Sequence, residues 1–156
     1  MTSAALPLET LVSPERVLFF GRVSKREALE ALADALGEAP QVKDRAELRS
    51  EILKRDELMS TAIGRGIAVP HARLASVTDL AAAVGLCPEG IAGFEALDDE
   101  PVRILFMVAA SSTQRDTYLR TLSYLCGCLK RQGLRERLLA AHTPEEAYRL
   151  LVGGCG

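Results

Sequence analysis

The chain contains no tryptophan, and aromatic residues make up only 4% of its 156 positions. A chain this poor in flat rings offers no stacking platform for single-stranded nucleic acid. Its core has to be built from leucine, alanine, valine and isoleucine. An excess of basic charge is also absent: 19 Lys and Arg face 21 Asp and Glu, for a net charge of -2. That balance excludes a general nucleic-acid footprint. No apolar run is long enough to span a bilayer, so direct membrane insertion is not expected. The opening segment "MTSAALPLETLV" lacks a basic n-region and a continuous apolar stretch. It is therefore not read as a secretory signal, and the expected compartment is the cytoplasm. The four cysteines, Cys87, Cys126, Cys128 and Cys155, follow no zinc or redox spacing, and two histidines add little as ligands. Reduced, mostly packed thiols are expected, with no metal site and no cofactor. There is no G-x-S-x-G elbow, and the one G-x-G lacks the third glycine and following helix of a dinucleotide fingerprint.

What is present is a regular alternation of strand and helix signals. At 156 residues, with 48% hydrophobic and 26% charged residues, the chain suits one globular domain over residues 1–156. "RVLFF" at Arg16 to Phe20 reads as a short strand. Ser24 with Glu27 forms a capping box ahead of an amphipathic helix carrying Leu29, Leu32, Ala33 and Leu36, with Gly37 as its stop. A second helix opens at Asp44, turns Leu48, Ile52 and Leu53 inward and fades near Arg55. "GIAVP" reads as a short buried strand ended by Pro70. "LAAAVGLC" and "PVRILFMVAA" are further strands, the second apolar nearly throughout, as in a sheet covered on both faces. A helix over residues 116–133 presents Leu119, Leu122, Leu125, Cys126 and Leu129 as its apolar face. A short helix follows, and then one opened by Thr143, Pro144 and Glu146. The sum is an α/β fold: a three-layer domain with a central mixed β-sheet and helices on both faces.

The stretch "STAIGRGIAVPHAR", Ser60 to Arg73, carries the chemistry. One of the two histidines, His71, follows the strand-ending Pro70. Sites in α/β domains gather at strand ends and in the loops beyond them. Gly64 and Gly66 permit tight backbone geometry. Ser60 and Thr61 supply hydroxyls, and Arg55, Arg65 and Arg73 supply cationic donors. A nucleophilic imidazole among such donors is what accepting a phosphoryl group needs, since the donors neutralise the equatorial oxygens. A lone histidine is as readily a structural residue, and the residues by themselves leave both readings open. His142, ahead of the last helix, reads as a solvated loop residue. Asp98, Asp99 and Glu100 read as a solvated turn.

The stretch "LKRDELMSTAIGRGIAVPHAR" resembles the signature R-x-x-L-x-S-T-x-I-G-x-G-I-A-x-P-H of the fructose/mannitol-type (type 2) enzyme IIA (EIIA) domains. These belong to the bacterial phosphoenolpyruvate:sugar phosphotransferase system. The likeness runs from "LVSPERVLF" to "TPEEAYRLL" and looks closest to the nitrogen-regulatory branch. It implies that His71 is the phosphoryl acceptor, that Arg55 steadies the phosphoryl group, and that Ser60, Thr61 and Gly64 shape the pocket. It implies a phosphocarrier of the HPr type as donor. It further implies either a IIB domain as acceptor or, in the regulatory branch, partner proteins that read the phosphorylation state. The sequence departs from the family at one place. The family has a second pocket histidine in H-L-x-x-L, where this chain has "TYLRTL" and Tyr118. Tyrosine keeps a hydrogen-bonding hydroxyl but cannot carry the positive charge of an imidazolium. Arg65 and Arg115 are the candidates to replace that charge.

Three functions are then expected in order. The first is a phosphohistidine regulator whose state partner proteins read, favoured by the missing second histidine and by the lack of IIB or IIC segments in the chain. The second is a IIA component passing phosphate to a IIB domain in sugar uptake. The third is a protein-binding module that no longer accepts phosphate.

Overall fold

A computed structural model gives the structure of the chain over residues 8–94 and 96–155. The start of the opening segment, residues 1–7, and the Cys155 side chain lie outside what is described. Six strands form one sheet: β1 (Val17–Phe19), β2 (Ala62–Gly64), β3 (Ile67–Ala68), β4 (His71–Leu74), β5 (Ala81–Ile91) and β6 (Val102–Ser111). Their order is β1-β5-β6-β3-β2, with β4 also paired to β6. β1 lies parallel to β5, and β3 and β4 lie parallel to β6. The β5–β6 and β2–β3 pairs are antiparallel, so the sheet is mixed.

Helices cover both faces, because the two long strands are apolar on both sides. On one face α2 (Lys25–Gly37) and α3 (Arg45–Leu58) set Leu29, Leu32, Leu36, Leu48 and Ile52 against Ala81, Ala83, Leu105 and Met107. The other face is covered by α1 (Leu8–Leu11), α4 (Arg115–Leu129), α5 (Gln132–Leu139) and α6 (Pro144–Cys155). There Leu11, Leu125, Leu138 and Leu151 meet Val84, Ile104, Phe106 and Val108. Alternate strand residues thus feed two cores, the period-two rule applied to a doubly covered sheet. Gly85 in β5 leaves room for the ring that follows β1: a Cβ there would lie 2.7 Å from the Phe20 ring.

The capping expected of α2 is present in full. Ser24 Oγ accepts from the Glu27 N–H at 3.1 Å, and Glu27 Oε1 accepts from the Ser24 N–H at 3.0 Å. At α6, Thr143 Oγ1 accepts from the Glu146 N–H at 3.1 Å. The Glu146 carboxylate reaches one residue further back, to the N–H of the exposed His142 at 2.9 Å.

Two expectations need correction. The buried stripe of α4 is Tyr118, Thr121, Leu125, Cys128 and Leu129. Leu119 is exposed, and Leu122 and Cys126 are only half-buried. The two stripes share Leu125 and Leu129, and their centres differ by about 70° at 3.6 residues per turn. This helix is apolar around enough of its circumference that periodicity alone does not choose between the two. The second correction concerns Pro70, which interrupts a strand without ending it. Ala68 pairs with Leu105 and His71 with Val108, the same offset on both sides of the break. β3 and β4 are therefore one strand broken at Val69–Pro70. Proline has no N–H to give the ladder, yet its carbonyl still accepts from the Val108 N–H at 2.9 Å.

Candidate functional site

The break in the strand positions His71. It sits at the head of β4, and its Nδ1 lies 2.8 Å from the carbonyl oxygen of Val69, just before the proline. A carbonyl can only accept, so Nδ1 carries the proton and donates. The lone pair is thereby left on Nε2. Along β4 the side chains alternate. Ala72 is fully buried toward the α2–α3 core, while the half-buried His71 and Arg73 share the opposite face.

Preceding this, the glycines form a tight hairpin. Gly64, Arg65 and Gly66 have φ of 90°, 58° and 77°, all left-handed. The two central residues, Arg65 and Gly66, match a type I′ turn, which requires positive φ at both. Asp98 closes it, accepting the Arg65 N–H at 2.7 Å and the Glu100 N–H at 3.2 Å. These backbone donors hold the Asp98 carboxyl below the usual carboxylate range. Asp98 is therefore a fastening of the β2–β3 turn as well as part of an exposed loop.

His71 opens on a cavity of about 200 Å³ that Ser60, Thr61, Ala62, Ile63, Val69, Leu122 and Cys126 also line. Ser60 Oγ accepts the Ala62 N–H at 3.3 Å. Thr61 Oγ1 is buried and has no hydrogen-bond partner among the described residues. Burial pushes the Cys126 thiol up, away from the thiolate. Leu58 and Met59, next to Ser60 in sequence, and Leu119, next to Tyr118, are exposed.

Tyr118 comes to His71 from the first turns of α4, with ring centroids 5.8 Å apart and planes tilted by 52°. It is 5% exposed. Burial pushes its phenol up to about 12, against the opposing pull of the Arg55 and Arg73 guanidinium groups. Arg73 stands over the other part of this constellation, its guanidinium carbon 5.7 Å from the Tyr118 ring centroid. Arg55, in the last turn of α3, pairs through Nε with Glu51 Oε1 at 2.9 Å. The structure thus gathers His71, Ser60, Thr61 and Tyr118, with Arg55 close enough to act on the phenol. Gly64 stands apart from the cavity lining, in the hairpin turn, where a Cβ would lie 3.2 Å from Asp98 Oδ2. Neither arginine named as a replacement cation takes that place. Arg65 lines a separate cavity with Arg103 and Arg135, and Arg115 is exposed at the start of α4. Arg73 is the cation that lies over the Tyr118 ring, and Arg55 acts on its phenol from α3.

The family profile described as the phosphoenolpyruvate-dependent sugar phosphotransferase system EIIA 2 matches residues 11–153. The chain belongs to this family. It is 36% identical over 133 residues to the nitrogen regulatory protein of Escherichia coli K12, covering 83% of this chain and 78% of that one. It is also 36% identical over 121 residues to the fructose-specific EIIABC component of Bacillus subtilis. That match covers 78% of this chain, which spans only 19% of the larger protein's length. Among solved structures, the IIA-Ntr protein of Neisseria meningitidis superposes with a TM-score of 0.81 at 29% identity, covering 92% of this chain and 97% of that one. The mannitol IIA of E. coli, solved in complex with phosphorylated IIB, superposes at 0.73 with 25% identity over 92% of this chain and 97% of that one. The three-layer fold is that of these EIIA domains.

Three features of this EIIA domain's site escape sequence reasoning. Leu122 and Cys126 line the cavity, although helical periodicity assigns them to the core. Arg73 is visible only as one of several nearby cations, and its seat over Tyr118 depends on α4 crossing β4. The signal that could have found it is strand alternation: two residues beyond His71, it has to share the histidine's face once His71 is placed inside a strand.

Proposed function

We propose that this chain is a phosphohistidine carrier and regulator: His71 Nε2 accepts a phosphoryl group from an HPr-like carrier protein, and partner proteins read the resulting state. The observation that carries this reading is the 2.8 Å hydrogen bond from His71 Nδ1 to the Val69 carbonyl, which fixes the proton on Nδ1 and the nucleophilic lone pair on Nε2. In the transfer, the Nε2 lone pair forms a bond to phosphorus as the P–N bond to the donor's imidazole breaks. The donor ring takes back that electron pair, and the proton stays on Nδ1 of His71, hydrogen-bonded to the Val69 carbonyl. The Thr61 hydroxyl, buried without a partner, is placed to donate to a phosphoryl oxygen, and Arg55 supplies positive charge beside the site. Ser60 shapes the cavity wall, and Gly64 acts one step removed by allowing the hairpin that carries it.

Likeness to nitrogen regulatory proteins favours the regulatory output. A new dianion on His71 would change which surfaces can dock there. Onward transfer to a IIB domain is the second reading, favoured by the likeness to a mannitol IIA solved with phosphorylated IIB and to a fructose-specific component.

The test is reconstitution with phosphoenolpyruvate, enzyme I and an HPr-type carrier, read by intact-protein mass spectrometry. The wild type is expected to gain one phosphoryl group. The His71→Ala protein is expected to gain none while keeping its circular dichroism spectrum and melting temperature. Phosphate on the His71→Ala protein would remove His71 from the reaction.

A further inference from the structure

The family's second pocket histidine is Tyr118 in this chain, and a tyrosine brings no cation. The geometry around it supplies one. Arg73 shares a strand face with His71 two residues away, a separation of about 6.6 Å at the usual rise per strand residue. Its guanidinium lies over the Tyr118 ring at 5.7 Å, inside the range of a cation–π contact. The same ring stands 5.8 Å from the His71 ring. Among the described residues, no carboxylate pairs with Arg73. Arg55, in contrast, is tied to Glu51.

We infer that Arg73, seated on Tyr118, is a phosphoryl-binding residue of this site, and that the pair does the work of the absent imidazolium with a charge that does not titrate. This rests on the reading of His71 as acceptor. Stacking on the ring restricts a long side chain that would otherwise sample many rotamers, so less freedom is lost when the guanidinium meets the phosphoryl oxygens. The charged and titratable groups facing the site are Arg55 from α3, Arg73 from β4, and Tyr118 and Cys126 from α4, with Lys130 near Cys126. The phenol and the thiol are both held neutral through the physiological range, so neither brings a charge that changes with pH.

The experiment uses phosphoramidate as the phosphoryl donor, which removes any dependence on a protein partner. Nε2 bonds to phosphorus as the P–N bond to the leaving nitrogen breaks and ammonia departs with the electron pair. Rates of phosphorylation are measured for the wild type, Arg73→Met, Arg73→Lys and the double variant Arg73→Met/Tyr118→His, with circular dichroism melting as the control for folding. Arg73→Met is expected to be slower by at least about tenfold, equivalent to about 1.4 kcal/mol, and Arg73→Lys to recover part of the loss. Compared with Arg73→Met at the same pH, the double variant, with an imidazole at position 118, is expected to be faster below roughly pH 6 and no faster above roughly pH 8, the window in which histidine titrates. Arg73→Met as fast as the wild type, or Arg73→Lys no faster than Arg73→Met, overturns the inference and leaves the carrier reading standing. A wild type that takes up no phosphoryl group overturns both.

Discussion

At the scale of single residues, the site depends on a few polar atoms that are either satisfied or deliberately left open. His71 has its Nδ1 proton committed to Val69, so its lone pair is set on Nε2. Thr61 is the opposite case. Its hydroxyl is buried without a partner, which costs about 1–3 kcal/mol of desolvation, and the fold gains nothing from it. Such an atom in a folded protein calls for an explanation, whether an ordered water, an ion or a functional role. Thr61→Val removes the hydroxyl at nearly constant shape. The variant is expected to melt at the wild-type temperature or higher, yet to be phosphorylated about tenfold more slowly, the worth of a hydrogen bond to a charged group. Parallel melting and phosphorylation assays check this. A variant that is destabilised and unimpaired in uptake would show the hydroxyl to be structural. Of the site, His71, Ser60 and Thr61 were legible from the motif, because the motif is a continuous piece of chain. Arg73 as Tyr118's partner was not, because that contact joins residues more than forty positions apart and depends on how α4 lies across β4.

At the scale of elements, the hairpin of β2 and β3 is what brings the hydroxyl-bearing segment beside the histidine. Its turn is held by left-handed backbone, by Asp98, and by the Gly66 carbonyl, which accepts from the Arg103 and Ile104 N–H groups at 2.7 and 2.9 Å. A Cβ on Gly66 would lie 3.3 Å from the Pro101 carbonyl oxygen at a φ of 77°. Gly66→Ala is expected to lower stability by about 1–2 kcal/mol from the left-handed conformation alone, with a further cost from the close approach. The expected signature in urea is a lower midpoint at unchanged slope. An unchanged midpoint would mean that the turn relaxes freely. The element itself was hard to read from sequence. β2 and β3 are three and two residues long, too short for any periodicity, and they exist because β6 and each other supply hydrogen bonds. β6 was plain as a run apolar nearly throughout. α2 was plain from its capping box, whose two bonds are local and owe nothing to the rest of the fold.

At the scale of the whole molecule, one doubly covered sheet explains both what the sequence lacks and where the site lies. With few aromatics, the two cores are filled by aliphatic side chains, and the run of Ala81, Ala82 and Ala83 in β5 lets helices approach from both sides. The strand interruption at Val69–Pro70 falls at the middle of β6, not at its end. His71 is therefore presented from inside the sheet, between the hairpin and α4. Reading Pro70 as a terminator was reasonable from local chemistry, but the parallel ladder to β6 resumes past it in register. No described helix is long and apolar enough to cross a membrane.

The central claim is that the phosphoryl group is carried on Nε2 of His71. The chain has only two histidines, His71 and the exposed His142, so the assignment is clean. The measurement is heteronuclear NMR on protein with nitrogen-labelled histidine, recorded before and after phosphorylation, resolving each ring nitrogen through its coupling to phosphorus. The account predicts a single phosphorus coupling, to Nε2 of His71, with Nδ1 still protonated and hydrogen-bonded. A coupling to Nδ1 of His71, or to either nitrogen of His142, would contradict it.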